Sequence, residues 1–405
     1  MKNKDVVIIG MGYIGLPTAA LISSNNINVL GVDVNEKVVE TINKGEIHIV
    51  EPELDLVVEK SVKSGKLKAS TIPIEASTFI IVVPTPFTTK NEPDISYVKS
   101  AFKSIIPFLK ENNLCIIEST CPVGTTDKMR NFINNERPDL FDKINIAYCP
   151  ERVLPGNVMH ELVNNDRVIG GINDVSTKKA VSFYKKFVSG NIHSTNAKTA
   201  EMCKLVENSS RDVQIAFANE LSLICDKANI DVWELISLAN KHPRVNILSP
   251  GSGVGGHCIA VDPYFISSNY PLESKIIATA REVNNYKSFW CVEKIEKTIV
   301  EFELLNNKKP KVALMGLAFK PDIDDLRESP ALYISKRICH GKNDSNKIVV
   351  EPNIIEHQLF NLSSFELAIK NADIIVFLVA HKEFKDFKSR DDSQIILDFC
   401  GVTNN

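Results

Sequence analysis

DVVIIGMGYIGL (Asp5–Leu16) decides how the chain folds. Val6, Val7, Ile8 and Ile9 form a short β-branched apolar run, and glycines follow at Gly10, Gly12 and Gly15. The run predicts a buried strand and the residues from Leu16 onward a helix, so the glycines fall on a strand-to-helix turn. Each glycine then has its own task. Gly10 makes the tight turn, Gly12 lets a pyrophosphate approach the backbone, and Gly15 permits close helix–strand packing. The helix N-terminus supplies free N–H groups and a favourable dipole for phosphate. A second strand, VLGVD, ends at Asp33, about 20 residues on, where a carboxylate accepts ribose hydroxyls and repels a 2′-phosphate. The pattern therefore predicts an NAD site. A flavin site shares the glycines but usually carries Glu at the Asp33 position.

The same alternation continues outward. Short apolar runs at Val29–Val32, Phe79–Val83, Cys115–Ile117 and Ile144–Ala147 predict strands, with helices over Leu16–Ser23 and Tyr97–Lys110 between them. From about Thr199 the rhythm changes. Ala200–Ala228 lacks proline and glycine, and Met202, Leu205, Val206, Val213, Phe217, Leu221 and Ile224 recur at helical spacing. Further helices are predicted over Val232–Ala239 and Lys275–Ile299. The long segment reads equally as a spine that doubles as a dimer surface or as a helix pair buried within one chain. After the polar break NNKKP (Asn306–Pro310), strands over Val312–Met315, Lys347–Val350, Ile374–Val379 and Ile395–Leu397 predict a second α/β unit that also starts strand–Gly–loop. The expected fold class is α/β, with two Rossmann-like doubly wound domains joined by a long central helix.

A chain of 405 residues, 44% hydrophobic and 24% charged, supports two or three such domains. Its formal charge of -3 gives no electrostatic footprint for nucleic acid or an acidic membrane surface, so neither is expected as a partner. The N-terminus lacks the apolar stretch and cleavage site of a signal peptide, which makes the cytoplasm the expected location. Nine cysteines without a C-x-x-C pair argue against a disulfide framework and a structural zinc site, and no metal is expected.

Candidate chemistry gathers at the strand ends and in one loop. VVPTP (Val82–Pro86) and ESTCPVGT (Glu118–Thr125) place small polar residues where open α/β sheets bind ligands, although simple turns have the same composition. Pro250–Cys258, PGSGVGGHC, is rich enough in glycine to wrap a ligand and present the next side chain at a defined point. Cys258 is that side chain, with Asp262 four residues on. A thiol there suits a thiohemiacetal or thioester intermediate; a buried structural cysteine in a turn fits the loop as well. Lys204 and Asn208, at i and i+4, share one helix face, either solvated or catalytic. His257 is a loop hydrogen bonder or a turn histidine.

Six motifs in order, Gly10–Gly15, ESTCPVGT, YCPERVLPG (Tyr148–Gly156), AEMCKLVENSSRDV (Ala200–Val213), GSGVGGHCIAVDP (Gly251–Pro263) and GLAFKPDIDDLRESP (Gly316–Pro330), resemble the UDP-glucose/GDP-mannose dehydrogenase family across essentially the whole chain. GGHCIAVDP is similar to members acting on 2-acetamido sugars. GEIHIVEPE (Gly45–Glu53), NDRVIGG (Asn165–Gly171) and HPRVNIL (His242–Leu248) resemble the branch that oxidises UDP-N-acetyl-D-mannosamine.

The resemblance implies a four-electron oxidation of the sugar C6 alcohol to a carboxylate by two NAD+ in succession. It implies an NAD-binding domain over 1–195, a central helical dimerisation domain over 196–305 and a UDP-sugar-binding domain over 306–405. Cys258 matches the family nucleophile, and Lys204 and Asn208 match the pair stabilising the oxyanion, which selects the catalytic reading of that face. Asp262 matches the carboxylate that helps activate water, with Thr120 and Glu151 sharing proton transfers and thioester hydrolysis. Cofactor contacts fall to Gly10, Gly12, Tyr13, Ile14, Gly15, Asp33, Thr85, Thr120 and Arg327. Substrate contacts fall to Glu151, Arg152, Val153, Lys204, Asn208 and Arg211. His242, Gly253, Gly255, His257, Phe319 and Lys320 join them, and Arg244 is offered to the neighbouring subunit of a homodimer. The chain departs from the family pattern in three places: Val261 stands where UDP-glucose-type members carry lysine, Ala260 where proline is common, and Phe399-Cys400 where a basic residue is frequent. The same machinery acting on UDP-N-acetyl-D-glucosamine or another UDP-hexose is the alternative, ahead of a two-electron alcohol dehydrogenase or a non-catalytic nucleotide-binding regulator.

Overall fold

The β-branched run at the N-terminus forms strand β1 (Lys4–Ile9), and its alternating side chains enter two different cores. Val6 and Ile8 pack with Leu16, Ala19 and Ala20 of the Gly15–Ser24 helix on one face. Val7 and Ile9 pack with Val98, Phe102 and Ile105 of the Ser96–Ile105 helix on the other. Burying both faces is worth roughly 1.5–3 kcal/mol for each such side chain, so a polar residue anywhere in the run would be costly.

A computed structural model of the chain describes residues 4–88, 92–153, 156–256, 258–339 and 344–403. The chain divides into two compact units, Met1–Val206 and Glu207–Asn405. The first holds an eight-stranded sheet made of β1, β2 (Val29–Val32), β3 (Leu67–Ser70), β4 (Ala76–Ile81), β5 (Leu114–Ile117), β6 (Asn145–Tyr148), β7 (Arg167–Gly171) and β8 (Ile192–Asn196), in spatial order β3-β2-β1-β4-β5-β6-β7-β8. All neighbours are parallel except β6 and β7. The order reverses between β1 and β4, and it is outside the carboxyl ends at such a reversal that open α/β sheets hold ligands.

The second unit holds a four-stranded parallel sheet in order β10-β9-β11-β12, from β9 (Val312–Met315), β10 (Lys347–Val350), β11 (Ile374–Phe377) and β12 (Ile395–Asp398). It too is covered on both faces: Val312 and Leu314 pack with Ile334 and Ile338 of the Pro330–Ile338 helix, Ala313 and Met315 with Ala368 of the Phe365–Asn371 helix. Two 32-residue helices, Ala197–Ala228 and Lys275–Asn306, occupy the middle of the chain. The expected α/β class with Rossmann-like units is thus the one observed.

Local chemistry accounts for where elements begin and end. The helix expected over Tyr97–Lys110 stops at Ile105 and tightens into a 3-10 turn over Ile106–Phe108, because Pro107 has no N–H to continue the ladder. The helix expected to end at Ile299 continues to Asn306 and closes on Asn307 at φ +50°, a left-handed end that asparagine tolerates. The expected Phe79–Val83 strand ends instead at Ile81. β3, β7 and β8 escaped the apolar reading altogether, since LKAS, RVIGG and IHSTN carry polar residues or glycines at sheet positions.

Candidate active site

The dinucleotide turn is built as its sequence requires. Gly10 sits at φ +95°, and a Cβ there would lie 2.2 Å from the Val82 carbonyl oxygen of β4's exit. At Gly15 a Cβ would lie 1.9 Å from the Gly10 carbonyl oxygen, so the helix starts against the strand end only because both positions lack side chains. Gly12, by contrast, faces open space and is exposed, as a pyrophosphate approach demands. Tyr13 is exposed beside it and Ile14 half-buried. Asp33 closes the turn: its Oδ2 accepts from the Met11 N–H at 2.9 Å and its Oδ1 from the Asn35 N–H at 2.9 Å. A carboxylate oxygen has more than one acceptor direction, so the half-buried Asp33 keeps capacity for ribose hydroxyls.

The neighbouring strand ends are tied together. Thr85 donates its hydroxyl to the Thr120 carbonyl at 2.6 Å, and Ser119 both accepts from the Val83 N–H and donates to the Val83 carbonyl. Glu201, fully buried, accepts from the Gly124 and Thr126 N–H groups at 2.6 and 2.7 Å and from the Thr126 hydroxyl at 2.6 Å. It thereby caps the Thr125–Glu136 helix, whose own Gly124 has no side chain to do so. Burial pushes the Glu201 carboxyl above its usual range against those donors. Glu51 does the same for the Val158–Asn164 helix, accepting from the Gly156 and Val158 N–H groups. Neither glutamate stands out in the sequence, because its donors lie 75 to 107 positions away.

Glu151 follows β6 and is buried; its Oε2 accepts from the Val153 N–H at 2.7 Å, while its Oε1 has no partner among the described residues. Arg152 donates to the Asp166 carbonyl. Lys204 is half-buried on the Ala197–Ala228 helix, one turn before Asn208.

In the second unit the glycine-rich loop is held from several sides. Asn219 accepts from the Gly251 N–H at 2.9 Å, Ser288 donates to the Ser252 carbonyl, Ser252 donates to the Leu378 carbonyl, and Gly256 N–H donates to the Arg327 carbonyl. Asn219 is itself the end of a buried network: its amide donates to Asn284, which donates to Asp212, which pairs with Arg281 at 2.6 Å. Gly253 and Gly255 leave room for protein as well as ligand, for a Cβ would meet Ser288 Oγ at 2.4 Å and the Glu328 carbonyl oxygen at 2.5 Å respectively. His257 lies outside the described residues. Cys258 is partly exposed, and its carbonyl accepts from the N–H groups of Val261 and Asp262. Asn208 donates to Asp262 Oδ2 at 2.5 Å, so the structure joins two residues that the sequence selected independently.

Six of the nine cysteines are buried, and burial, the largest cause and partly offset by Lys287 and Lys347, pushes the Cys291 and Cys339 thiols up to about 12 and about 11. These are packing groups, whereas Cys258 is partly exposed at the end of an anchored loop.

The GLAFKPD loop repeats the first turn with a different outcome. Gly316 N–H donates to Val350 as Gly10 N–H does to Val32, and Leu317 N–H donates to Glu351 Oε2 as Met11 N–H does to Asp33. Glu351, however, is 3% exposed and also accepts from Ala318 N–H and His381 Nε2. Burial alone would raise its carboxyl; the His381 bond and the backbone donors outweigh that and bring it down to about 2. His381 Nδ1 faces the Asp322 N–H at 3.0 Å, so the loop is pinned on both sides of Phe319 and Lys320. Asp322, His381 and Glu383 cluster closely enough for a cation, but both His381 nitrogens are already engaged. Lys320 is exposed, with its ammonium 6.0 Å from the Phe319 ring centroid. Arg327 is exposed and grips Asp325 through Nε and Nη2. Arg211, His242 and Arg244 are exposed. No helix among the described residues is long and apolar enough to cross a membrane.

A complete dinucleotide turn, an acidic ribose acceptor and an anchored cysteine loop define an NAD-dependent oxidoreductase. Comparison with known proteins narrows the class. Residues 4–188 match the NAD binding domain, 198–286 the central domain and 313–405 the UDP binding domain of the UDP-glucose/GDP-mannose dehydrogenase family. The chain belongs to that family and is an NAD-dependent UDP-sugar dehydrogenase. It is 52% identical to UDP-N-acetyl-D-mannosamine dehydrogenase of Escherichia coli (strain K12), over 99% of this chain and 100% of that one. It is 47% identical to an NDP-N-acetyl-D-galactosaminuronic acid dehydrogenase of Ralstonia nicotianae, over 98% and 96%. The solved structure of UDP-D-ManNAc dehydrogenase from Pyrococcus horikoshii superposes with a TM-score of 0.86 at 36% identity, covering 99% of this chain and 96% of that one.

Proposed function

We propose that the protein oxidises the C6 alcohol of UDP-N-acetyl-D-mannosamine to the carboxylate, releasing UDP-N-acetyl-D-mannosaminuronate for a surface polysaccharide made from the cytoplasm. The observation that carries the chemistry is the Asn208–Asp262 hydrogen bond beside Cys258. The E. coli relative's name supports the sugar.

NAD+, when bound against Gly10, Gly12 and Asp33, supplies the hydride acceptor, once for each of the two oxidations. Cys258 adds as thiolate to the C6 aldehyde, forming a C–S bond and a thiohemiacetal oxyanion. Lys204 and Asn208 meet that oxyanion, with Asp262 fixing the Asn208 amide so that its remaining N–H points one way. Oxidation leaves a thioester, which water hydrolyses while Glu151 accepts the proton on its unpartnered Oε1. Thr120 and Asp262 share the proton traffic. Lys320 and Phe319 hold the UDP half, and Arg244 serves the neighbouring subunit's substrate in a homodimer.

Steady-state kcat/KM for UDP-N-acetyl-D-mannosamine, the gluco epimer and a galacto epimer tests the substrate. The manno sugar is expected to lead by at least about tenfold, the scale on which a single misplaced polar contact discriminates. A faster gluco or galacto epimer would overturn the choice, the galacto case in line with the Ralstonia relative's name.

A further inference from the structure

Behind Glu151 lies a buried charge cluster that none of the steps above uses. Glu118, the residue after β5, is 2% exposed, and Arg167, the first residue of β7, is 4% exposed. Tyr184 ends the Asp174–Tyr184 helix, fully buried, and donates its hydroxyl to Glu118 Oε1 at 2.5 Å. The guanidinium carbon of Arg167 sits 5.4 Å from the Tyr184 ring centroid, and its Nη2 donates to the Leu162 carbonyl. Glu118 Oε2, Arg167 Nε and Nη1, and Glu151 Oε1 are all buried without partners among the described residues. Native interiors leave few such atoms, and four from three ionisable side chains in one cluster call for a bound water or a functional role.

Sheet register explains why they meet. β6 and β7 pair antiparallel, Ala147 with Gly171 and Tyr148 with Gly170. Arg167 opens β7 at that same edge, near enough for its charge to act on both Glu151 and Glu118. β5 and β6 pair in parallel, and Cys149 N–H still donates to the Ile117 carbonyl, so Glu118 leaves the sheet beside Cys149 and Glu151. Two carboxyl groups thus flank one arginine at the carboxyl edge of the sheet.

We infer that Glu118 is a positioning residue for thioester hydrolysis, acting through Glu151: it takes up the proton that Glu151 withdraws from the attacking water. In that step a water O–H bond breaks and its oxygen bonds to the thioester carbonyl carbon. The C–S bond breaks to return the Cys258 thiolate, and the proton passes by way of Glu151, directly or across one bridging water, to Glu118 Oε2. Arg167 stays charged beside both carboxyls, so the hand-over moves negative charge between them without leaving either anion alone in a dry site. The inference rests on the reading of Glu151 as the proton acceptor.

The electrostatics agree with the direction of transfer. Burial, opposed by Arg167 and the Tyr184 hydroxyl and reinforced by Glu151, leaves the Glu118 carboxyl raised to about 7. The remaining titratable neighbour, Cys149, is pushed by burial up to about 12 and stays a neutral thiol. Glu118 accepts a proton only when ionised, so the step should speed up as pH rises through neutrality.

Single-turnover hydrolysis of the acyl-enzyme, followed across pH with saturating NAD+ in the full-length enzyme, tests this in wild type, Glu118→Gln and Tyr184→Phe. Wild type is expected to show a rising limb near 7. Glu118→Gln should slow hydrolysis about tenfold or more and abolish the limb, with KM for sugar and NAD+ unchanged. Tyr184→Phe removes a hydrogen bond that favours the ionised form, so its limb should move to higher pH. Tyr184→Phe and the wild-type limb alone keep the test alive if Glu118→Gln does not fold. Unmoved profiles in both variants overturn the inference. Glu151→Gln separates the two levels: wild-type hydrolysis in that variant overturns both readings, whereas a stalled acyl-enzyme beside unmoved Glu118 and Tyr184 profiles removes only the role of Glu118.

Discussion

At the scale of single residues, small polar contacts hold the candidate site's groups in one geometry. Asn208 has its amide committed to Asp262, so Asn208→Ala should lower kcat by roughly 10²–10³-fold, the usual loss for one oxyanion donor, with little change in melting temperature. Stopped-flow NADH release and a thermal melt measure the two effects. Asp33→Asn keeps the shape of the turn but loses charge beside the ribose, and should raise KM for NAD+ about tenfold while leaving KM for the sugar unchanged. Much of this was legible in the sequence. Gly10, Gly12, Gly15, Asp33, Asn208, Cys258 and Asp262 all declare themselves by spacing or by family resemblance. Glu118, Glu201, Arg167 and His381 do not. Glu118, Glu201 and Arg167 sit in readable motifs and His381 just past a readable strand, but their partners are brought up by distant strands and helices, and one sequence carries no signal for pairing over such separations.

At the scale of elements, the two strand–Gly turns show how one backbone design serves different ends. In the first, Asp33 retains acceptor capacity and the turn stays open at Gly12. In the second, Glu351 is consumed by His381 and by the Leu317 and Ala318 N–H groups, so the turn becomes a clamp for the Phe319–Lys320 loop. Glu351 is held at about 2 when folded against an ordinary value of 4.5, so its contribution is complete above about 4.5 and is lost as pH falls toward 2. Glu351→Gln should therefore cost about 1.5–3 kcal/mol at neutral pH, with the deficit shrinking on acidification through that window, as urea melts at several pH values would show. A deficit independent of pH would contradict the clamp. Element types followed from apolar periodicity, as in Val232–Ala239 and Val312–Met315, where expectation and structure coincide. The misses have physical causes: Pro107 cut a helix short, and polar strands such as β8 carry no apolar signal because one or both faces are wet.

At the scale of the whole molecule, the proposed function calls for a homodimer in which Arg244 completes the partner's substrate site. Exposed Phe217 and Ile224 on the Ala197–Ala228 helix are the kind of apolar surface that a second copy would cover. Arg244→Ala and Cys258→Ser should each make almost no acid as homodimers, yet a refolded mixture should regain acid formation, because a hybrid joins an intact Cys258 to an intact Arg244. A mixture as inactive as its components would place Arg244 within its own subunit's site or outside the chemistry. On the proposed function the sugar undergoes two oxidations in a single visit, the second as the Cys258 adduct. Counting NADH per UDP-N-acetyl-D-mannosamine consumed, alongside the product mass, tests it most directly. Two NADH and a carboxylate are expected from the wild type, with Cys258→Ser yielding an aldehyde or only very slow acid formation. One NADH per sugar from the wild type, or Cys258→Ser making acid at an undiminished rate, would contradict it.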